Sequence, residues 1–287
     1  MAHMGRFRSA DVSLGAVAVL ANIALVAGVV LFTTGQGLNG SPGPSPTTAA
    51  TRTATRSPLP SRTAVPTTPP TLTAAAVLAT RPAVTVAVLG DGTGDEPGEW
   101  VGVWARLLGQ DRSVMLHGLD PADPTQYAAA ERLGSGARTA VVYNGSRRGA
   151  SADYAAKRLQ FLVPRAPDVV LLNYGRDDTA GVVAGQLDMT LRALRAAWPQ
   201  VPVVVVLQPP TRDDTSAPVR SAVAGWARGR ALQAIDVAAA FRAAGDPNSF
   251  VSVTDPPSVN ARGGRLWAEA VQRALEHLPV GVREGQR

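Results

Sequence analysis

The chain has 287 residues, 45% of them hydrophobic and 17% charged, and no cysteine. The absence of cysteine excludes thiol nucleophiles, disulfides and Cys-based zinc or iron–sulfur sites. Three histidines (His3, His117, His277) leave little for a His-rich metal centre.

The formal charge of +6 and pI of about 10.6 would ordinarily point to nucleic acid or a membrane surface. The excess is unevenly placed. Residues 1–80 carry Arg6, Arg8, Arg52, Arg56 and Arg62 against Asp11 alone, a net +4. The rest is close to neutral at +2, so the charge gives no support for a nucleic-acid partner. Lys157 is the only lysine beside 27 arginines, which reads as codon bias.

In chain order, residues 1–11 read as a cytoplasmic N-terminus and 12–34 as a transmembrane anchor. Residues 12–32 contain no charge, and a bilayer core needs about 20 apolar residues of helix. Arg6 and Arg8 precede the run, so the positive-inside rule exports the remainder of the chain. A cleaved signal peptide is the competing reading, but its apolar core is shorter and no convincing A-x-A comes after the run here. Residues 35–81 read as a Pro/Thr/Ser-rich linker, with eight prolines between Ser41 and Pro70. Such a composition buries no core. O-linked sugars on it are an open expectation.

Residues 82–280 read as one globular domain, and 281–287 as a tail. Strands are expected at Val84–Leu89, Val114–Leu119, Thr139–Tyr143, Val169–Asn173, Pro202–Leu207 and Leu232–Val237. Helices are expected around Trp100/Trp104/Leu107, Ala155/Leu159/Leu162, Val183/Leu187/Leu191/Leu194, Ser216–Arg228 and Trp267/Val271/Ala274/Leu278. This alternation predicts an α/β fold with a mostly parallel sheet between helices. Ligands in such folds sit beyond the carboxyl ends of the strands.

Four segments occupy those ends. They are Gly90-Asp91-Gly92-Thr93, Asn144-Gly145-Ser146-Arg147-Arg148-Gly149, Gly175-Arg176-Asp177-Asp178, and Asp255-Pro256-Pro257-Ser258-Val259-Asn260 with Gly263 and Trp267-Ala268 after it. In this order they resemble the SGNH (GDSL-type) hydrolase family over residues 82–280. The resemblance implies a flavodoxin-like αβα sandwich and ester hydrolysis. The family blocks read G-D-S, N-x-G-x-x-G, G-x-N-D and D-x-x-H.

All four namesake positions differ here. The family nucleophile falls on Gly92, an oxyanion-holding glycine on Ser146, an oxyanion-donating asparagine on Asp177, and the general base on Ser258. Gly90, Asp91, Asn144, Gly149, Gly175, Asp178, Asp255 and Asn260 are retained. Glycine cannot attack a carbonyl, a serine cannot act as an imidazole base near neutral pH, and Asp177 offers an acceptor where an oxyanion needs a donor. Triad members act as a unit, so these losses remove the ordinary route to an acyl-enzyme.

Several rescues stay open. Thr93 could serve as a displaced nucleophile with Asp91 or Asp177. His117 alternates with strand residues and reads as structural, and His277 as a surface residue. Asp91, Asp177 and Asp178, with Asp95 and Glu96 nearby, could hold Mg²⁺ or Ca²⁺, though Asp91 and Asp178 also read as loop-fixing carboxylates. Neither a metal nor a cofactor is expected. An Asp91-Gly92-Thr93 phosphatase reading fails because its nucleophilic Asp falls on Leu89, and no phosphate-binding glycine loop is present. Arg147, Arg148 and Arg176 could together take an anionic ligand, or be solvated loop residues pairing with Asp177 and Asp178. The expected ligand cleft is Asp91, Thr93, Asn144, Arg147, Arg176 and Asp178.

The sequence thus predicts a membrane-anchored extracytoplasmic module without esterase activity, binding or scaffolding at the cell envelope. An envelope glycan or acylated carbohydrate is the expected ligand. The alternative is a divergent esterase or acyltransferase with reassigned residues. Restoring Gly92→Ser, Ser258→His and Asp177→Asn should return esterase activity if the pocket is otherwise intact.

Overall fold

The computed structural model describes residues 73–255 and 258–276. The anchor at 12–34, most of the linker, Pro256, Pro257, His277 and Leu278 lie outside the described residues. Among the described residues no helix is long and apolar enough to cross a membrane.

The first described element falls inside the segment read as linker. Helix α1 (Ala74–Thr80) starts at Thr73, whose hydroxyl accepts from the Ala76 N–H. Ala74, Ala75 and Val77 are buried, so their alanine-rich face belongs to the core. Strand β1 (Ala83–Gly90), helix α2 (Trp100–Leu108) and strand β2 (Arg112–Gly118) come next, then a long strand β3 (Glu131–Asn144). The helix expected around Ala155, Leu159 and Leu162 is broken. A 3-10 turn spans Tyr154–Lys157, and a single helical turn, α3, spans Leu159–Leu162. Strand β4 (Val169–Asn173), helix α4 (Val183–Ala197), strand β5 (Val203–Leu207), helix α5 (Ala217–Gly229) and strand β6 (Gln233–Asp236) continue the alternation. Helix α6 (Val237–Ala243) joins β6 without a loop because Asp236 turns the chain, its side chain accepting from the Ala239 N–H. Helix α7 (Ala261–Glu276) closes the fold.

The strands form one sheet in the order β2-β3-β1-β4-β5-β6. Apart from a second register between β2 and β3, neighbours run parallel. In that register Val114, Met115 and Leu116 pair with Leu133, Arg132 and Glu131, the antiparallel sense. The first half of β3 therefore folds back along β2, turning where Gly134 adopts φ +67°. Without β2, the remaining order renumbers as 2-1-3-4-5, the flavodoxin-like order.

Side chains alternate across the sheet. On one face Val84, Val86 and Val88 pack with Trp100, Trp104, Phe241 and Trp267. On the other Ala87 and Leu89 pack with Leu162, Leu187, Leu194 and Trp226. Both faces are covered, which gives the αβα layering. The central strand β1 lies between β3 and β4. The loops after these three strands therefore meet at one end of the sheet.

Candidate functional site

Asp91 comes directly after β1 and is fully buried. Its Oδ1 accepts from the Thr93 N–H at 3.1 Å and the Thr93 hydroxyl at 2.8 Å. Its Oδ2 accepts from the Arg176 N–H at 2.9 Å and Gln208 Nε2 at 2.7 Å. Burial pushes this carboxyl up to about 6, against the pull of the donors from Arg176, Thr93 and Gln208. Asp91 thus ties together the loops after β1, β4 and β5. Asp178 fixes a fourth stretch, accepting from the Ala152 N–H at 3.0 Å.

The loop after β3 is tied to the loop after β1. Arg147 N–H donates to the Gly90 carbonyl, Arg148 N–H to Asp95 Oδ2, and Asn144 Nδ2 to the Gly94 carbonyl at 2.6 Å. The Arg148 side chain adds an ion pair to Glu96 at 2.9 Å. This closure has a consequence at Gly92. A Cβ there would sit 2.8 Å from Arg148 Cα, so no side chain fits unless backbone moves. The Ser146 N–H is also engaged, donating to Asn144 Oδ1 at 3.2 Å.

Arg176 takes the centre. Its Nη1 donates to the Gly92 carbonyl at 3.0 Å and to the Ser258 hydroxyl at 2.8 Å. Its Nη2 meets Asp255 Oδ2 at 3.3 Å. The Ser258 hydroxyl donates in turn to Asp255 Oδ2 at 2.6 Å. That hydroxyl bond, together with the Arg176 cation, holds the Asp255 carboxyl below its ordinary value despite partial desolvation. One guanidinium therefore joins Gly92, Ser258 and Asp255. A fixed cation with no lone pair to take up a proton lies among them.

Beside Arg176 opens a cleft of about 520 Å³. Thr93, Glu99, Asp178, Gln208, Arg212 and Trp267 are among its lining residues. Trp267 forms part of the wall and stacks on Trp100, centroids 5.4 Å apart. Trp100 Nε1 donates to Asn173 Oδ1 at 3.1 Å, and Asn173 Nδ2 donates to the Val206 carbonyl. Asn260 anchors the start of α7, its Oδ1 accepting from the Gly263 N–H.

The structure redistributes the residues expected to line the cleft. Thr93, Arg176 and Asp178 line it, whereas Asp91 is fully buried and outside the lining. Asn144 is buried behind it as a loop tie. Arg147 and Arg148 line a separate cavity of about 260 Å³ with Asp95 and Asp120, so the three guanidinium groups do not gather in one pocket. Nor does Arg176 pair with Asp177 or Asp178; its carboxylate is Asp255. Asp177 is exposed and outside the cleft lining. Among the described residues no three Asp, Glu or His gather as metal ligands. His117 stacks on Tyr143 at 4.9 Å, away from the cleft.

Three cleft residues carry no motif. Gln208 is the first residue after β5, and its place at a strand end is the one sequence signal it offers. Arg212 lies four residues further along the same loop. Glu99 precedes α2, and its carboxyl is pushed up to about 7 by burial, by the charges of Asp95 and Glu96 and by the hydrogen-bonded Asp95 side chain, against the Glu96 N–H.

Glu99 and Asp91 both hold protons more tightly folded than unfolded. Their contribution to stability is complete below about pH 4 and is lost as pH rises through about 6 and 7. Glu99→Gln keeps the side chain neutral and supplies a donor to Asp95. It should flatten the decline in Tm between pH 5 and pH 8. An unchanged slope would contradict the assignment.

No protein-family model and no curated sequence matches the chain. Similar solved structures include a lipase/acylhydrolase from Enterococcus faecalis, 16% identical over 67% of this chain and 95% of that one, TM-score 0.48. A carbohydrate esterase family 3 structure from Talaromyces cellulolyticus is 22% identical over 67% and 96%, TM-score 0.49. A G-D-S-L lipolytic family member from Veillonella parvula is 14% identical over 68% and 99%, TM-score 0.47. These are likenesses to solved structures only, at 22% identity or less.

Proposed function

We propose that this protein is a membrane-anchored, extracytoplasmic SGNH-hydrolase-like module that has given up ester hydrolysis and binds a ligand at the cell envelope. The observation that carries the reading is the Arg176 guanidinium, bonded to the Gly92 carbonyl, the Ser258 hydroxyl and Asp255 together. Nucleophilic attack on an ester needs a nucleophile, a base that accepts its proton, and donors for the oxyanion. At the positions that resemble the family's, the first has no side chain and no room for one. The second is a hydroxyl already donating to a carboxylate. The Ser146 N–H, which the resemblance places in the third role, is bonded to Asn144. The anchor rests on the uncharged run at 12–32 and its flanking arginines, and the extracytoplasmic side on the same charges. An envelope glycan remains the expected ligand class.

One observation favours a second reading, a divergent hydrolase or acyltransferase. Thr93 lines the cleft and its Oγ1 is 2.8 Å from Asp91 Oδ1, a nucleophile–base distance. Weighing against it, Asp91 already accepts three other hydrogen bonds and is sealed from solvent. Asp177, the other base considered, makes no hydrogen bond to Thr93. Incubation with a fluorophosphonate followed by intact mass spectrometry separates the readings. No adduct is expected; an adduct mapped to Thr93 would establish the second reading.

A further inference from the structure

We infer that the cleft is a receptor for a carboxylate-bearing sugar, held between the guanidinium groups of Arg176 and Arg212. The inference rests on the binding reading above and deepens it by naming the ligand's chemistry.

Arg212 lines the same cleft and makes no hydrogen bond or ion pair with any described residue. It stands on the loop after β5, where Asp213 and Asp214 both adopt positive φ, 54° and 52°. Two consecutive non-glycine residues in that region are strained. The loop is tied down by Arg220, which pairs with Asp214 at 2.6 Å. Arg212 is thus presented to the cleft from a braced loop. Ser216, at the start of α5, also lines the cleft and makes no side-chain cap, so the positive end of a 13-residue helix adds to the field.

Arg176 shows which anion the site holds. Its backbone and Nη1 are anchored, at 2.9 Å to Asp91, 3.0 Å to the Gly92 carbonyl and 2.8 Å to Ser258. Its outermost bond, to Asp255, is longer at 3.3 Å. Asp255 is about half exposed, 47% against 16% for Arg176. Asp255 keeps the Ser258 hydroxyl at 2.6 Å, so a ligand carboxylate that takes its place on Arg176 displaces the longer of these two contacts.

Three other carboxyls belong to the lining, and an anionic ligand must sit on the arginine side of the cleft to avoid them. Asp178 accepts from the Ala152 N–H through one oxygen, and its other oxygen is buried without a hydrogen-bond partner. Asp213 faces Asn248 at 3.5 Å. Glu99 is engaged with the Glu96 N–H and the Asp95 side chain. The rest of the wall carries Gln208, whose Nε2 is committed to Asp91, and the hydroxyls of Thr211, Thr215 and Ser216, the first two bonded to each other and the third accepting from the Thr211 N–H and Arg220; only their remaining capacity can meet ligand hydroxyls. A volume of about 520 Å³ suits a small ligand and exceeds what a bare anion needs.

The test uses the full-length protein in mild detergent at about pH 6.5, with ligand-observed NMR and three probes: D-glucuronate, D-glucose and inorganic phosphate. Glucuronate should bind at least about tenfold more tightly than glucose or phosphate. Arg212→Ala should weaken glucuronate about tenfold, and Asp255→Asn, which removes the internal competitor, should tighten it several-fold. Glucose binding as well as glucuronate, phosphate binding better, no glucuronate binding at concentrations on the order of tens of millimolar, or affinities unmoved by both substitutions would each overturn the inference. The same preparation is treated with fluorophosphonate. An adduct refutes the binding reading itself, whereas no adduct with no glucuronate binding refutes only the carboxylate assignment.

Discussion

Gly92→Ser, even combined with Ser258→His and Asp177→Asn, is expected to yield a destabilised protein without esterase activity. The sequence alone suggests the opposite, since it shows only missing side chains. The packing is what differs. A Cβ at residue 92 meets Arg148 Cα at 2.8 Å, and the neighbouring Cβ and Cγ at 3.1 and 3.2 Å. Arg148 cannot swing aside as a flexible tip would, because its N–H is bonded to Asp95 and the adjacent Arg147 N–H to the Gly90 carbonyl. Overpacking of this kind costs about 1–3 kcal/mol. An asparagine at 177 would stand outside the cleft and give no oxyanion donor there. A histidine at 258 would face the Arg176 cation, which opposes its protonated form. The unfolding midpoint in urea and the rate on p-nitrophenyl acetate check both halves. Unchanged stability with measurable turnover would mean that the loop after β3 moves freely.

The largest stability effect is expected from Trp267→Ala, a loss of about 3–5 kcal/mol. Trp267 is 1% exposed and stacks on Trp100 at an interplanar angle of 12°. Trp100 in turn holds the Asn173 side chain that braces β4 against β5. Truncation would empty the space between α7 and α2 and loosen the wall of the cleft. The urea midpoint should fall with little change in the m-value. A loss below about 1 kcal/mol would mean that the helices collapse onto the cavity.

The parts of the fold that the sequence discloses are those governed by local pattern. Runs such as Val203–Leu207 are buried on both faces of the sheet and read as strands wherever they occur. The blocks after Leu89, Tyr143 and Asn173 are legible because strand ends are where parallel sheets place their sites. The features that are not legible depend on distant partners. Helix α1 sits in a Thr/Ala-rich stretch, and only burial against the core distinguishes it from linker. The first half of β3 is polar and mostly exposed, so it lacks the apolar run that marks its second half. Arg176 reads as a loop residue with acidic neighbours at 177 and 178, yet its partner stands at Asp255. Gln208 reaches Asp91 across 117 positions. Such pairings are set by the sheet order, and no local window contains them. The four altered positions are legible one at a time. That a single guanidinium joins two of them, Gly92 and Ser258, to the retained Asp255 is not.

Whether the cleft turns over esters is the most direct question to put to this protein. Hydrolysis of p-nitrophenyl acetate and p-nitrophenyl butyrate by the full-length protein, beside Thr93→Val, is the measurement. The expected result is the uncatalysed rate for both proteins and both esters. Turnover by the unaltered chain that Thr93→Val abolishes would contradict the proposed loss of ester hydrolysis.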